Sequence, residues 1–295
     1  MRSLLAQLRQ RRGFEVSSYL EQKQQALQSF FQKQQLNATV VGVSGGVDSA
    51  VVLGLLHRIP DLHVMPLLMP IFGTGTTGQG EAHALALEQC LALGLQPVVA
   101  DLSEAHRAYI TVAVNSPGEQ TPWANGQLAS IVRTPCIYYH AALLQTQGYR
   151  SIVAGTTNRD EGGYIGFFGK ASDAMVDLQP IADLHKSEVY QVGREVGVIQ
   201  DILDREPRGD VWDGSTDEQM IGAPYWFVEL FTLMRDGLLS PREIASALSP
   251  NHKAQFDAYA QNIERLHQTN AHKYQTGLPS HFVDVMPRKV LDGWQ

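Results

Sequence analysis

A glycine-rich turn follows a short apolar, β-branched segment at residues 38–43. That segment predicts a strand buried on both faces. Gly45 and Gly46 lack side chains, so backbone N–H groups can close around an anion, and a helix starting near Asp48 adds the positive end of its dipole. We therefore expect a phosphate chain to bind the turn, which consists of Ser44, Gly45, Gly46, Val47, Asp48 and Ser49.

The acidic residue in this turn has a specific implication. Asp48 would repel a phosphate unless it holds a cation, which predicts Mg²⁺. The hydroxyls of Ser44 and Ser49 could contact phosphate oxygens. The turn matches neither the Walker pattern nor the dinucleotide-binding fingerprint. Two adjacent glycines alone would fit an ordinary tight turn, but the full string after a buried strand favours phosphate binding.

The rest of the chain alternates strand and helix patterns. Strands are predicted at 38–43, 63–69, 96–100 and 150–154, and helices at 15–35, 50–59, 81–93, 126–147 with an interruption near Pro135, 183–196 capped by Asp183, and 251–272. We interpret 72–80 and 209–222 as loops and 274–295 as an irregular tail. The alternation predicts a doubly wound parallel α/β sheet of about five strands flanked by helices.

Three polar segments follow predicted strands: 44–49, 70–80 and 155–161. The carboxyl ends of parallel strands meet at one edge of a sheet, where ligands of such folds bind. The segments are therefore expected to form one site.

Composition narrows the class of protein. The 295 residues carry a formal charge of -7, which disfavours nucleic-acid binding. A short arginine run, Arg9, Arg11 and Arg12, is interpreted as a solvated N-terminal turn. Cys90 and Cys136 lack metal-ligand spacing and make no disulfide scaffold, and no run suits a membrane span, so we expect a cytoplasmic protein without membrane partners.

The complete motif set resembles a known family. The string 44–49 matches the pyrophosphate-binding loop of N-type ATP pyrophosphatases. Segments 155–161, 166–177, 180–189, 207–225 and 272–273 are similar, in order, to motifs of ammonia-dependent NAD synthetases. The resemblance implies an adenine nucleotide alpha hydrolase-like fold. It also implies a single domain over 1–295, with helical segments at 1–36 and 239–295.

The resemblance further implies roles for individual residues. Asp48 and Glu161 would hold Mg²⁺, and Lys186 would contact the departing phosphates of ATP. A lysine in the first turn of a helix opposes the helix dipole, an objection that a bound polyphosphate removes. The remaining implied contacts are Met69, Arg133, Thr156 and Arg208 with ATP, and Tyr139, Lys170, Asp173, Asp177, His272 and Lys273 with a nicotinate nucleotide.

Several of these residues also have plainer interpretations. Arg133 fits a solvated helix arginine, and Asp173 and Asp177 fit surface or cap carboxylates. Tyr139 and its neighbour Tyr138 fit core packing as well as a ring stack across a dimer interface.

The chain departs from the family pattern at a few positions. Ile131 replaces an arginine, Arg208 replaces a serine or threonine, and Tyr274 replaces a second arginine. One residue is inserted between Glu161 and Gly166, which leaves Asp160 as an alternative carboxylate. These departures leave the acyl substrate open.

The resemblance implies ATP-dependent amidation of deamido-NAD to NAD through an acyl-adenylate. Alternatives are the same chemistry on nicotinate mononucleotide or another carboxylate, a tRNA-modifying ATP pyrophosphatase, or a non-catalytic nucleotide-binding protein. Ammonia is expected free or from a separate glutaminase, because no segment is left for an amidase domain. A homodimer is expected from the family.

Overall fold

A computed structural model of the chain describes residues 1–72, 79–207, 215–247, 250–274 and 281–286. Within these ranges six parallel strands form one sheet in the order β3-β2-β1-β4-β5-β6. They are β1 Ala38–Gly42, β2 His63–Leu68, β3 Val98–Val99, β4 Ser151–Ala154, β5 Leu178–Gln179 and β6 His281–Phe282. The predicted doubly wound class is confirmed.

Helices cover the sheet. They are α1 Arg2–Arg12, α2 Val16–Lys33, α3 Val47–His57, α4 Gln79–Ala92, α5 Ser103–Val112, α6 Pro122–Thr146, α7 Lys186–Glu195, α8 Gln200–Asp204, α9 Asp217–Ile221, α10 Tyr225–Arg235, α11 Pro241–Ala247 and α12 Pro250–Tyr274. A single π-helical turn spans Glu161–Ile165. No helix among the described residues combines the length and apolarity needed to cross a bilayer.

Strand β1 is the centre of the sheet. It pairs with β2 on one side and β4 on the other, with Thr39 opposite both Val64 and Ile152. Val40 and Val41 are fully buried, because helices pack on both faces. The chain winds outward in opposite directions from β1, so the edge between β1 and β4 is the switch point at which ligands bind such sheets.

Two helices differ from their predictions, one in its continuity and one in its first residue. Helix α6 runs through Pro135 without the predicted interruption. Pro135 lies on the exposed face of the helix, where the carbonyl that loses its partner can reach water. Helix α3 begins at Val47 instead of residue 50, with Gly46 as its N-cap.

The prediction that Asp183 caps α7 is wrong. His185 is the N-cap, and Asp183 is fully buried in an ion pair with Lys23 of α2. The ammonium of Lys23 also donates to the carbonyls of Pro180 and Val283, and the Asp183 carboxylate accepts the N–H of Val285. The pair therefore ties α2 to the chain after α12.

That chain segment is less irregular than expected. Residues 281–282 form β6 beside β5, and α12 extends to Tyr274. The predicted loop at 209–222 contains α9 at its end, while 208–214 lie outside the described residues.

The interpretation of the arginine run as a solvated turn is wrong in two respects: the run ends helix α1, and the Arg12 side chain is buried. Arg9 forms a bidentate pair with Glu229 of α10, and Arg12 forms one with Glu188 of α7. The side chains of Arg9 and Arg11 remain about half-exposed, and Arg11 pairs with Glu243. Helix α1 also shares an apolar core with α10 and α12, so it is packed into the molecule.

Replacing Lys23 by methionine should destabilise the protein strongly. The change leaves Asp183 buried without its cation, which costs about 3–5 kcal/mol. Urea denaturation should show this drop in the free energy of unfolding. Lys33→Met, at an exposed site on the same helix, should change it by about 0.5 kcal/mol or less. Equal losses in the two variants would contradict the anchoring role of the pair.

Candidate active site

Two adjoining cavities open at the carboxyl edge of the sheet. The smaller, of about 330 Å³, lies beside the ends of β1 and β2 and includes Met69. The larger, of about 630 Å³, includes the loop 44–49 and the start of α7. Ser44, Gly46 and Thr156 line both, so the cavities meet at the loop.

The loop is closed by its own hydroxyls. The N–H of Ser44 donates to Ser49 Oγ at 3.2 Å, and the N–H of Gly46 donates to Ser44 Oγ at 3.2 Å. Ser49 Oγ donates to the carbonyl of Gly46 and is nearly inaccessible. Ser49 thus shapes the turn, while the N-terminus of α3 points its dipole toward the larger cavity.

Gly45 is required by the geometry of this turn. Its φ is 83°, and a Cβ at this position would lie 2.2 Å from the carbonyl oxygen of Ala82 in α4. The loop backbone therefore rests directly on α4, and no other residue type fits without displacing it.

Three predicted residues meet at the mouth of the loop. The Lys186 ammonium lies 2.5 Å from Asp48 Oδ2 and 3.0 Å from Glu161 Oε1. Burial alone would lower the pKa of Lys186, but the two carboxylates raise it above its ordinary value. Burial raises the pKa of Glu161 to about 7, and the charges of Asp48 and Asp217 act in the same direction. The lysine is therefore firmly cationic beside an excess of negative charge.

Two further side chains hold these carboxylates in place. Asn158 donates from Nδ2 to Asp48 Oδ1 at 2.9 Å and accepts the N–H of Glu161 at 3.0 Å. Tyr225 OH lies 2.8 Å from Glu161 Oε1 and 3.2 Å from Asp217 Oδ2. The two carboxylates are thus fixed from both sides.

The residue inserted before Gly166 is absorbed locally. The π-helical turn that starts at Glu161 accommodates one extra residue, as such turns commonly do at functional sites. Glu161 consequently faces Lys186, whereas Asp160 is completely buried and accepts the N–H of Lys186 at 2.7 Å. The geometry places Glu161, not Asp160, on the cavity.

Asp160 instead forms a buried pair with His185, whose Nδ1 lies 2.7 Å from Oδ1. Burial lowers the pKa of His185 to about 3 and raises that of Asp160 to about 7. A neutral imidazole that donates from Nδ1 to the Asp160 carboxyl is consistent with both shifts. The pair holds the backbone that carries Lys186.

The smaller cavity contains the residues predicted to recognise ATP. Arg133 donates from Nε to the carbonyl of Met69 at 3.1 Å and from Nη1 to that of Ala129. It lies between α6 and the end of β2, so it is not a solvated helix arginine. Thr156 lines both cavities.

Of the residues predicted to bind the nicotinate nucleotide, some line the larger cavity and others lie outside it. Asp173 and Lys273 line the larger cavity. Lys170 and His272 are exposed and line neither of the two cavities within the described chain. Lys273 donates to the carbonyls of Gly166 and Phe168.

Asp177 and Tyr139 also lie outside these cavities in the described chain. Asp177 accepts the N–H of Val153 and the hydroxyl of Tyr138, which makes it part of the β4–β5 edge. Tyr139 is 62% exposed on the outer face of α6, so the core-packing interpretation is wrong for it. Ile131 is exposed on the same helix.

Two further residues depart from the family pattern, Tyr274 and Arg208. Tyr274 is buried and packs edge-on against Phe168, 5.8 Å between ring centres. Arg208 and residues 73–78 of the predicted loop lie outside the described residues.

Several lining residues were not predicted from the sequence. Trp123, Arg205 and Asp217 line the larger cavity. Tyr225, which donates to Glu161, was not predicted either. Asp217 and Tyr225 lie in motifs that matched the family, so the motif was a usable signal for them. Trp123 and Arg205 carried no such signal.

The arrangement suits a nucleoside triphosphate that is cleaved. Loop amides, a helix N-terminus and a lysine can stabilise a departing pyrophosphate, and paired carboxylates can hold a cation. Among the described residues no cluster of three or more His, Cys, Asp or Glu side chains has metal-binding geometry.

Comparison with known proteins decides the family. The NAD synthase family model matches residues 19–277. The chain belongs to the NAD synthase family. The NH3-dependent NAD+ synthetase of Alkaliphilus oremlandii is 30% identical over 240 residues, 79% of this chain and 84% of that protein.

Two solved structures are similar to this member of the NAD synthase family. The NMN synthetase of Francisella tularensis superposes with a TM-score of 0.74 at 25% identity, covering 91% of this chain and all of that one. The NH3-dependent NAD synthetase of Campylobacter jejuni gives 0.65 at 22% identity, covering 89% and 97%. The latter likeness concerns the fold.

Membership of the NAD synthase family confirms the predicted enzyme class. The chain is a ligase that forms a carbon–nitrogen bond with ATP as co-substrate, and the predicted ATP-dependent amidation of deamido-NAD to NAD is the reaction of this family.

Replacing Gly45 by alanine should weaken ATP binding without unfolding the NAD synthase. The strained backbone and the clash with Ala82 cost about 1–3 kcal/mol, enough to raise the KM for ATP about tenfold or more. Gly80→Ala is the control, because a Cβ there meets nothing within 4 Å. An unchanged KM in Gly45→Ala, measured by pyrophosphate release, would contradict the role of the turn.

Proposed function

We propose that this enzyme adenylates the nicotinate carboxylate of deamido-NAD with ATP and then amidates it with ammonia. The observation that carries the proposal is the Lys186 ammonium held between Asp48 and Glu161 at the mouth of the loop. A phosphate chain bound there would meet a cation, loop amides and paired carboxylates together.

The two cavities fit the two ends of ATP. The smaller cavity presents apolar side chains suited to a flat purine, among them Leu68, Met69 and Ile137. The larger contains the loop and Lys186, which suit the pyrophosphate end. The α-phosphate would then lie where the cavities meet, near Thr156.

Lys186 acts by exchanging partners. In the structure its ammonium neutralises two carboxylates. A polyphosphate entering the loop offers a denser negative charge, so we expect the ammonium to turn toward the phosphates. Its high pKa keeps it cationic throughout.

The carboxylates that Lys186 leaves would hold Mg²⁺. Oxygen ligands and the local excess of negative charge fit that ion, because the charges of Asp48, Glu161 and Asp217 all act on the Lys186 ammonium. When bound, Mg²⁺ supplies charge neutralisation on the phosphate oxygens. The protein's part is to fix both carboxylates through Asn158 and Tyr225.

The chemistry then has two balanced steps. A carboxylate oxygen attacks the α-phosphorus, the bond to the bridging oxygen breaks, and pyrophosphate leaves with its charge stabilised by Lys186. Ammonia next attacks the acyl carbon, the bond to AMP breaks, and a proton is released as the amide forms. The named relatives use ammonia, which supports it as the nitrogen donor.

Asp173 and Lys273 are the side chains that we propose for the nicotinate nucleotide, since both line the larger cavity. Lys170, Asp177, His272 and Tyr139 stay predictions from the resemblance. We also propose a cytoplasmic location, because Cys90 and Cys136 are free thiols.

One observation favours a second candidate substrate, nicotinate mononucleotide. The similar Francisella tularensis structure is an NMN synthetase, and all of that chain is covered at a TM-score of 0.74. A mononucleotide and a dinucleotide carry the same reacting carboxylate, so the site described above serves both.

A substrate comparison tests the proposal. Pure enzyme is incubated with Mg-ATP, ammonia and either deamido-NAD or nicotinate mononucleotide, and pyrophosphate and amide product are measured. We expect a higher kcat/KM for deamido-NAD. A higher value for the mononucleotide would establish the second candidate, and pyrophosphate release with neither would refute both.

The pH dependence of metal activation tests the role of Glu161. Because burial first, and then the charges of Asp48 and Asp217, raise its pKa to about 7, protonation competes with the metal as the pH falls through 7. The Mg²⁺ concentration for half-maximal activity should therefore rise from pH 8 to pH 6. Glu161→Gln should lose this dependence along with most activity. Glu195→Gln, exposed on α7, should keep it; a flat profile in wild type would contradict the assignment.

We also propose a homodimer through α6. An uncharged stripe on this helix is exposed, with Trp123 at 65%, Ile131 at 43% and Tyr139 at 62%, and Pro135 lies between the last two. Monomers rarely expose such a surface without a partner. A dimer would bring Tyr139 toward a second copy of the site, as the resemblance implies.

Sedimentation velocity tests this interface. Tyr139→Asp places a charge in the stripe and should convert the dimer to a monomer. Leu91→Asp, at a site 50% exposed on α4, should remain dimeric. A wild-type monomer at working concentration would refute the interface.

A further inference from the structure

The last residue of α1 reaches the helix that carries Lys186. Arg12 donates from Nε to Glu188 Oε1 at 2.6 Å and from Nη2 to Glu188 Oε2 at 3.0 Å. Nη2 also donates to the carbonyl of Asp183 at 2.6 Å. Both charged side chains of this pair are more than nine-tenths buried. One guanidinium therefore contacts both ends of the turn 183–188.

Lys186 lies inside that turn. Glu188 Oε2 accepts the N–H of His185 at 2.9 Å, which closes the first turn of α7. On the opposite side Asp160 accepts the N–H of Lys186 at 2.7 Å and contacts the His185 ring. The turn is clamped between α1 and the segment that carries Glu161.

We propose that Arg12 is a positioning residue for Lys186. It keeps the Glu188 carboxylate on the His185 N–H and so holds the first turn of α7 where the ammonium of Lys186 reaches the pyrophosphate. Without Arg12, the buried Glu188 carboxylate would lack its cation and would turn toward water. The proposal rests on the phosphate-binding role of Lys186 given above.

Arg12 lies outside the segment that the family model matches. The NAD synthase model begins at residue 19, whereas α1 spans Arg2–Arg12.

The same helix supplies its own controls. Arg9 binds Glu229 of α10, and Arg11 binds Glu243 and the carbonyl of Leu238. Neither pair touches the turn 183–188. Loss of Arg11 therefore loosens α1 without disturbing Lys186.

The first experiment measures kcat and the KM for ATP by pyrophosphate release in Arg12→Met, Arg12→Lys and Arg11→Met, with Tm for each. We expect Arg12→Met to lower kcat about tenfold or more, with the KM for ATP within about threefold. Arg12→Lys should recover only part of the lost kcat. Lysine keeps the positive charge beside Glu188, but an ammonium cannot form the two parallel hydrogen bonds of a guanidinium. Arg11→Met should match wild type.

A double variant separates positioning from general stability. If Arg12 acts through Lys186, adding Arg12→Met to Lys186→Met should leave the residual rate unchanged within about twofold. A purely structural role predicts that the two losses multiply. A folded Arg12→Met with wild-type kcat would overturn the proposal; should that variant not fold, a folded Arg12→Lys with wild-type kcat would do so.

A measurement without turnover keeps this proposal distinct from the proposed function. Competitive acetylation of lysines with acetic anhydride, read by mass spectrometry, should modify Lys186 faster in Arg12→Met than in wild type. Exposed Lys33 is the internal reference. Equal labelling of Lys186 would overturn the positioning role, whereas absence of pyrophosphate release from wild type would refute only the proposed function.

Discussion

The candidate site is built around one ion-pair cluster, in which the Lys186 ammonium lies between the carboxylates of Asp48 and Glu161. The three groups come from the loop after β1, the segment after β4 and the start of α7. They can meet only because β1 and β4 are neighbours at the switch point of the sheet. Such a cluster is costly to bury, and the proposed role of Lys186 in binding a phosphate chain gives a physical reason for its presence.

Hydrogen bonds from a polar network behind the cluster offset the free energy of burying these charges. Asn158 and Tyr225 orient the carboxylates, and Asp160 holds the backbone of Lys186. Arg12 completes the network from α1. Preorganised charges of this kind stabilise a departing pyrophosphate without rearrangement at the moment of reaction.

Local patterns predicted the sheet, the loop and the main chemical groups. The strand-to-loop sequence at 38–49 is enough to place an anion site at the end of β1, because that geometry is set by neighbouring residues. The destinations of long side chains were not predictable in this way. The partner of Arg12 is 176 residues away, and the partner of Lys23 is 160 residues away. The choice between Asp160 and Glu161 was open because the π-helical turn at 161–165, which absorbs the inserted residue, was not predictable from the local pattern.

The central claim is that Lys186 occupies the cation position of the two carboxylates until a phosphate chain draws it away. The most direct test is Mn²⁺ binding, measured by electron paramagnetic resonance in the absence of nucleotide. We predict that Lys186→Met binds Mn²⁺ about tenfold or more tightly than wild type, because both carboxylates are then free of the ammonium. Equal Mn²⁺ affinity in the two proteins would contradict the account.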